Sequence, residues 1–314
     1  MVRTLTIRNR AQRTKRISDL KDRFIEERKK LLASDVAGLQ KKLYARLLDE
    51  VINQLTATEG NFDDSEANQA RIAAIDKLFT EFENDVTKVM ANVISGYSGI
   101  GQLSQQYFGQ FNLKLFNKAK QITDAKMRNI IGIDEKGKAK PGGWIDSFIK
   151  DKTMATKVKQ AVLSAVTAGS SLKDTNKTLN TLIQGSDQSE GIVQAHFRTN
   201  VYDTFSRFDR INNDVFAAEL DLNYGIYAGG LVEHSRPFCQ ERNGKVFTRE
   251  EIKAFGTPRD KFGGYTNKSK GEFAGKNKDY IPERDLGGYN CGHTVNWITY
   301  ELAVQLRPDL KKAA

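Results

Sequence analysis

The sequence has few of the residues that cross-link secreted proteins, and it has no long apolar run. Only two cysteines and three histidines occur among its 314 residues. Two cysteines cannot form the disulfide framework of a small secreted protein, so we expect synthesis in a reducing cytoplasm. No run of 18 apolar residues is present, which argues against a membrane-spanning helix. The basic N-terminus is not followed by the hydrophobic stretch of a secretory signal.

Proline is also scarce, and the first of the five prolines is Pro141. Apolar residues before it recur at steps of three and four, from Ile17 to about Leu55 and again from Ile72 to Val93. This spacing places them on one face of a helix. Residues 17–135 are therefore predicted to form a helical hairpin that projects from the body and serves assembly. Gly96, Gly99 and Gly101 are expected to end or bend its second helix.

Acidic residues are outnumbered by basic ones, 39 to 49, which gives a formal charge of +10. This excess favours an anionic partner, of which nucleic acid is the commonest. Residues 1–16 contain no acid and are predicted to form a basic arm that contacts DNA phosphates. The alternative is a solvated, frayed terminus. The basic side chains of this arm are Arg3, Arg8, Arg10, Arg13, Lys15 and Arg16. The lysine-rich segment Lys268–Lys278 is a second candidate for weak contact with DNA.

The C-terminal half changes from helical periodicity to a pattern rich in glycine and aromatic residues. Helices are predicted over 145–221, with one amphipathic helix from Ile192 to Leu220. A β-containing module is predicted over 222–295, followed by a short helix from about Asn296 to Leu306. The predicted fold class is therefore α+β and predominantly helical.

Both cysteines and two of the histidines lie within this module, which makes it the candidate for a metal site. We predict that Cys239, Cys291 and His293 lie close together, although 52 positions separate the cysteines. Sulfur and imidazole nitrogen are ligands that zinc prefers, and His234 is a tentative fourth ligand. The separation of the cysteines is not that of a zinc finger. The alternatives are a buried pair of free cysteines and a disulfide formed after cell lysis.

The dipeptide Arg236-Pro237 has a predicted structural role. The proline ring restricts the preceding residue to extended geometry. We expect Arg236 to pair with a carboxylate of the module, such as Glu250 or Asp285, rather than with a phosphate.

Several blocks of the C-terminal half occur in a recognisable order over roughly residues 145–300. A long helix is followed by Tyr224-Gly-Ile-Tyr-Ala-Gly229, Ser235-Arg-Pro-Phe-Cys239, Asn243-Gly-Lys-Val-Phe-Thr248 and Gly288-Tyr-Asn-Cys-Gly-His293. This order and spacing resemble the C-terminal domain of the phage Mu F-like head morphogenesis family, the minor head proteins of tailed bacteriophages. The helical N-terminal half carries no motif that matches the family.

The resemblance implies a structural, non-enzymatic protein of the virion, made in the bacterial cytoplasm. Proteins of this family are associated with the portal or the capsid interior and aid procapsid assembly or DNA delivery. The implied partners are the portal protein, the major capsid protein and packaged double-stranded DNA, with a homo-oligomer around the portal as a further expectation. The alternatives are a metal-dependent nuclease or toxin carried in the head, and a cellular DNA-binding regulator. No catalytic triad, P-loop or helix-turn-helix signature favours either alternative.

Overall fold

The computed structural model describes residues 7–233, 235–256, 260, 280–288 and 291–312, with side chains from residue 11 to residue 311. The described residues are 69% helical and include a small C-terminal module of short antiparallel strands, which confirms the predicted fold class. The described helices are α1 (Ile7–Glu50), α2 (Glu66–Gly109), α3 (Phe116–Ile131), α4 (Trp144–Ile149), α5 (Thr153–Thr167), α6 (Leu172–Gln184), α7 (Ile192–Phe197), α8 (Thr204–Glu219), α9 (Pro237–Arg242), α10 (Arg249–Lys253), α11 (Pro282–Asp285) and α12 (Tyr300–Leu306).

The described strands form two small hairpins and one three-stranded sheet. The hairpins are β1 (Ala57–Thr58) with β2 (Asn61–Phe62), and β3 (Gly185–Ser186) with β4 (Ser189–Glu190). The sheet has the order β6-β5-β7, and both pairings are antiparallel. Its strands are β5 (Tyr224–Ala228), β6 (Val246–Thr248) and β7 (Thr294–Ile298).

The chain divides into two compact units that do not follow the predicted domain boundaries. Unit 1 comprises residues 1–28, 96–130 and 203–314, and unit 2 comprises residues 29–95 and 131–202. The boundaries differ because α1 and α2 each contribute one part to unit 1 and another part to unit 2.

In unit 2, α1 and α2 form the predicted antiparallel hairpin. Lys42 pairs with Asp85 at 2.7 Å, and Arg46 pairs with Glu81 at 2.6 Å. Helices α5 and α6 pack against this hairpin within the same unit, and its projection from the body stays a prediction. The Tyr44 hydroxyl, for example, donates to a backbone carbonyl of α6 at 3.3 Å. Additional buried residues on α2, among them Leu78 and Met90, widen its apolar stripe beyond what one partner helix covers.

Unit 1 is built around α8, whose side chains are buried on nearly every face. Phe216 of α8 stacks on Phe108 of α2 with ring centroids 4.7 Å apart. The Tyr107 hydroxyl donates to the backbone carbonyl of Trp297 on β7 at 3.1 Å. These contacts join α2, α8 and the sheet into one apolar core.

Three local predictions of secondary structure were wrong. Residues 7–16 form the first turns of α1 rather than a separate arm, since the chain is helical from Ile7. The stretch 294–298 is a strand with every residue buried, and the last helix begins only at Tyr300. The predicted helix 192–220 is interrupted by a π-helix over Arg198–Tyr202.

The glycines of α2 do not end the helix, which continues to Gly109. A Cβ atom at Gly96 would lie 2.6 Å from the ring of Phe205, a side chain only 1% exposed. A Cβ atom at Gly99 would lie 2.3 Å from the ring of Phe24, whereas Gly101 has no neighbouring atom within 4 Å. Gly96 and Gly99 are therefore sites where an aromatic ring lies directly against the helix backbone.

Replacing these glycines gives a matched test. Gly96→Ala should lower the free energy of unfolding by about 1–3 kcal/mol, because the buried Phe205 ring must move. Gly101→Ala should instead raise it by about 0.5–1 kcal/mol, because alanine loses less backbone entropy in a helix. Urea unfolding followed by circular dichroism measures both, and equal effects of the two substitutions would contradict the packing role of Gly96.

Candidate metal centre

The three predicted metal ligands lie on two segments that meet beside β5. Cys239 is in the first turn of α9, which begins at Pro237. Arg236, the N-cap residue, has the extended backbone predicted for a residue before proline, with φ −62° and ψ 143°. Cys291 and His293 lie immediately before β7, which pairs with β5.

Cys239, Cys291 and His293 form one buried group that could hold a metal ion, as predicted. Their candidate ligand atoms all lie within 4.8 Å of one another. The Cys239 and Cys291 sulfurs are 3.8 Å apart, and the Cys291 sulfur is 3.9 Å from Nδ1 of His293. Two sulfurs each ~2.3 Å from a tetrahedral ion would be roughly 3.8 Å apart. The sulfur separation is well above the ~2.05 Å of a disulfide.

Two glycines allow the backbone to approach this group closely. A Cβ atom at Gly287 would lie 2.8 Å from the Cys239 sulfur and 3.0 Å from the Cys291 sulfur. A Cβ atom at Gly229 would lie 2.7 Å from the His293 ring. At Gly292, by contrast, a Cβ atom would have no neighbouring atom within 4 Å. The sequence therefore needs glycine at 287 and 229 for space, but not at 292.

The group is enclosed on several sides by aromatic side chains. Tyr227 of β5 stacks on the His293 ring with centroids 5.2 Å apart, and its hydroxyl lies 3.3 Å from the Cys239 sulfur. Phe238 packs edge-on against Tyr227. Cys239, Cys291 and His293 are 3%, 2% and 5% exposed. This enclosure is typical of a structural metal site, since a catalytic site keeps one position open to substrate.

The electrostatic surroundings favour a thiolate at Cys291. The Cys239 thiol donates a hydrogen bond to Cys291 and lowers the pKa of Cys291, and His293 and Arg210 lower it further. The same hydrogen bond raises the pKa of Cys239. Arg210 also donates to the backbone carbonyl of Cys291 at 2.9 Å. Thiolate is the form in which cysteine binds a metal ion.

A buried polar network lies next to the candidate ligands, and sequence reasoning missed it. Lys21 of α1 pairs with Asp209 of α8 at 2.7 Å and donates to Asn213 at 3.0 Å. Asn213 in turn donates to Thr294, the residue after His293, at 3.1 Å. The available signal was the i,i+4 pair Asp209 and Asn213, which interrupts the aromatic stripe of α8. Arg210 of the same helix is also buried, at 3% exposure.

The remaining predicted site residues are not brought to the candidate metal centre. Arg13, Lys15 and Arg16 are exposed on α1, where their contact with DNA stays a prediction. Pairing of Arg236 with a carboxylate stays a prediction as well. Arg3, His234 and the segment Lys268–Lys278 lie outside the described residues. For Arg8 and Arg10 the backbone is described but the side chain is not.

Comparisons with protein-family models, with curated proteins and with solved structures found no match to this chain. Among the described residues, no helix is both long and apolar enough to cross a membrane.

Asp22 is a partly buried carboxylate on α1, next to the ion-paired Lys21. It forms no hydrogen bond or ion pair with any other described residue. Burial, followed by the nearby charge of Asp209, raises the pKa of Asp22 to about 6. Folding therefore disfavours the ionised form of this side chain, which makes the carboxylate unfavourable at neutral pH.

Asp22→Asn should raise the free energy of unfolding at pH 7.5 by about 2–3 kcal/mol, because one pKa unit corresponds to ~1.4 kcal/mol. The native state binds more protons than the unfolded state between pH 4 and pH 6, so wild-type stability falls as the pH rises through this window. The gain from Asp22→Asn should shrink as the pH falls from 6 toward 4. Urea unfolding across this range measures it, with Asp49→Asn, an exposed site on the same helix that does not shift the pKa of Asp22, as the control. A gain independent of pH would contradict the role of the Asp22 charge.

Proposed function

We propose that the protein is a structural minor head protein of a tailed bacteriophage, with a C-terminal module held together by zinc. One observation carries the proposal. Three sequence blocks that resemble the Mu F-like family fall between residues 235 and 293, the third 40 positions after the second, and the fold brings them together. The block ending at Cys239 and the block ending at His293 meet at the candidate metal centre. The middle block contributes β6, which pairs with β5 beside that centre.

Zinc is the metal that this ligand set fits best. Two cysteine sulfurs and one imidazole nitrogen are borderline-soft donors, whereas magnesium and calcium prefer oxygen ligands. The separation of the two sulfurs matches the edge of a tetrahedron around a zinc ion. His234 is the proposed fourth ligand, from the segment that precedes α9.

The burial of the ligands favours a structural role over a nuclease. A metal-dependent nuclease must expose one coordination position to water and to a phosphate group. At Cys239, Cys291 and His293 the exposed fraction is 5% or less. A zinc ion bound there would stabilise the module by linking α9 to the start of β7, and its binding free energy would contribute to folding.

Contact with packaged DNA is proposed for the first turns of α1. Arg13, Lys15 and Arg16 are exposed there, and the whole chain carries a formal charge of +10. Basic side chains that neutralise phosphates bind DNA without sequence preference. The portal protein and the major capsid protein are the proposed protein partners, with self-association around the portal.

Zinc binding can be tested without altering a ligand. Protein purified without chelator should contain about one zinc ion per chain by elemental analysis. Gly287→Ala should weaken zinc binding by roughly 10–100-fold, since the added methyl group displaces the two sulfurs. Gly292→Ala is the matched control and should leave zinc affinity unchanged, because nothing lies near its Cβ position. Competition with a coloured zinc chelator measures the affinities.

Two outcomes would contradict the zinc proposal. The first is metal-free protein that unfolds at the same urea concentration with and without added zinc. The second is equal zinc affinity in Gly287→Ala, Gly292→Ala and the unaltered protein.

The virion role is tested on particles of the phage that encodes the chain. Mass spectrometry of purified, DNA-filled heads should detect the protein in few copies, because minor head proteins surround a single portal. Phage lacking the protein should yield fewer infectious particles, and a plasmid copy should restore them. Absence from purified heads would refute this role. Chelator-sensitive DNA cleavage by the purified protein would instead favour the nuclease alternative.

A further inference from the structure

Unit 1 contains a cleft of about 740 Å³ that the proposed virion role does not use. It lies between the first turns of α1, the strands β5 and β7, and α12. Its volume is within the range of small-molecule binding sites. The lining residues that matter for its chemistry are Thr14, Ser18, Asp22, Ile226, Leu302 and Asn296.

The two sides of the cleft differ in polarity. Thr14, Ser18 and Asp22 follow one another at steps of four along α1 and therefore lie on one face of that helix. Apolar side chains contributed by β5 and α12, among them Ile226 and Leu302, line another part of the wall. A ligand that fits both parts has a polar head and an aliphatic body.

Two buried polar atoms in the wall have no hydrogen-bond partner among the described residues. They are Oγ1 of Thr14 and Oδ1 of Asn296, and each of these residues is 3% exposed. Asn296 is held in place because its Nδ2 donates to the Ser18 hydroxyl at 2.6 Å. Buried polar groups in folded proteins are nearly always paired, so an unpaired acceptor in a cleft indicates a missing donor.

The charged residues in the wall of the cleft indicate that the missing donor carries a positive charge. Asp22 has no hydrogen bond or ion pair with another described residue, and Asp19 adds a second carboxylate at the rim. Lys15 contributes the single positive charge among the lining residues of the cleft. Carboxylates and an amide oxygen together accept hydrogen bonds from a cation and repel an anion.

We propose that this cleft binds a small aliphatic amine. Its ammonium group would donate to the Asp22 carboxylate and to Oδ1 of Asn296, and its hydrocarbon chain would lie against Ile226 and Leu302. Two of the three donors of an ammonium group match these two acceptors, and the third remains for water. The proposal does not depend on the virion role, and it adds a ligand site separate from the candidate metal ligands.

The test uses the full chain and three probes of similar size. Hexylamine, 1-hexanol and hexanoate share the same hydrocarbon chain and differ in the charge of the head group. Titration at pH 7.5, followed by the backbone amide signals of Ser18 and Asn296 in nuclear magnetic resonance spectra, measures each affinity. Hexylamine should bind saturably, at least about tenfold more tightly than 1-hexanol, and hexanoate should bind more weakly than either.

Two variants test whether the amine binds beside Asp22. Asp22→Asn keeps the shape of the side chain and removes its charge, so it should weaken hexylamine by about tenfold or more and leave 1-hexanol unchanged. Asp187→Asn removes an exposed carboxylate from the β3–β4 turn of unit 2 and should change neither affinity. The proposal is overturned if hexylamine does not saturate, if 1-hexanol binds equally well, or if both variants affect hexylamine alike. The comparison of the three probes on the unaltered chain needs no variant to fold.

Discussion

The ion pair between Lys21 and Asp209 is the constraint on which the arrangement of unit 1 depends. Both side chains are almost completely buried, at 0% and 2% exposure, so neither charge has water to stabilise it. Removal of one partner from a buried pair typically costs about 3–5 kcal/mol, because the remaining charge is left uncompensated. The pair therefore fixes α1 against α8. Asn213 extends the fixed region to Thr294, and so the backbone that carries His293 is positioned by the same network.

Sequence periodicity and residue scarcity predicted much of this architecture. Repeats of three and four located the two long helices, because a helix that packs on a helix must keep one face apolar. The clustering of Cys239, Cys291 and His293 was predictable because the rarest residues of the chain flank one glycine- and aromatic-rich module. Their close packing depends on glycine at position 287, because a side chain there would displace the two sulfurs.

The features that could not be predicted are those in which tertiary contacts override the local pattern. The helical pattern predicts that Lys21 is solvated, yet this side chain is buried. Leu20 lies in the predicted apolar stripe but is 46% exposed. Gly96 was predicted to end or bend the helix, but α2 is continuous there and an aromatic ring lies against its backbone. Residues 294–297 alternate polar and apolar side chains, but a run of four positions is too short to distinguish a strand from the start of a helix, and it gives no sign that Thr294 and Asn296 are buried with the rest of β7.

The polar face of α1 in unit 1 also bears on the order in which the chain can fold. Ser18 hydrogen-bonds Asn296, so 278 positions separate the two partners. At ~5–20 residues per second, a ribosome needs roughly 15–55 s to synthesise that interval. During that time the N-terminal turns of α1 lack β7, the strand that covers them in the folded protein. An apolar face would invite aggregation during the delay, whereas Thr14, Ser18 and Lys21 remain hydrated until β7 emerges. Burial of polar side chains beside Ile17 thus reduces the apolar area that this segment exposes before β7 is synthesised.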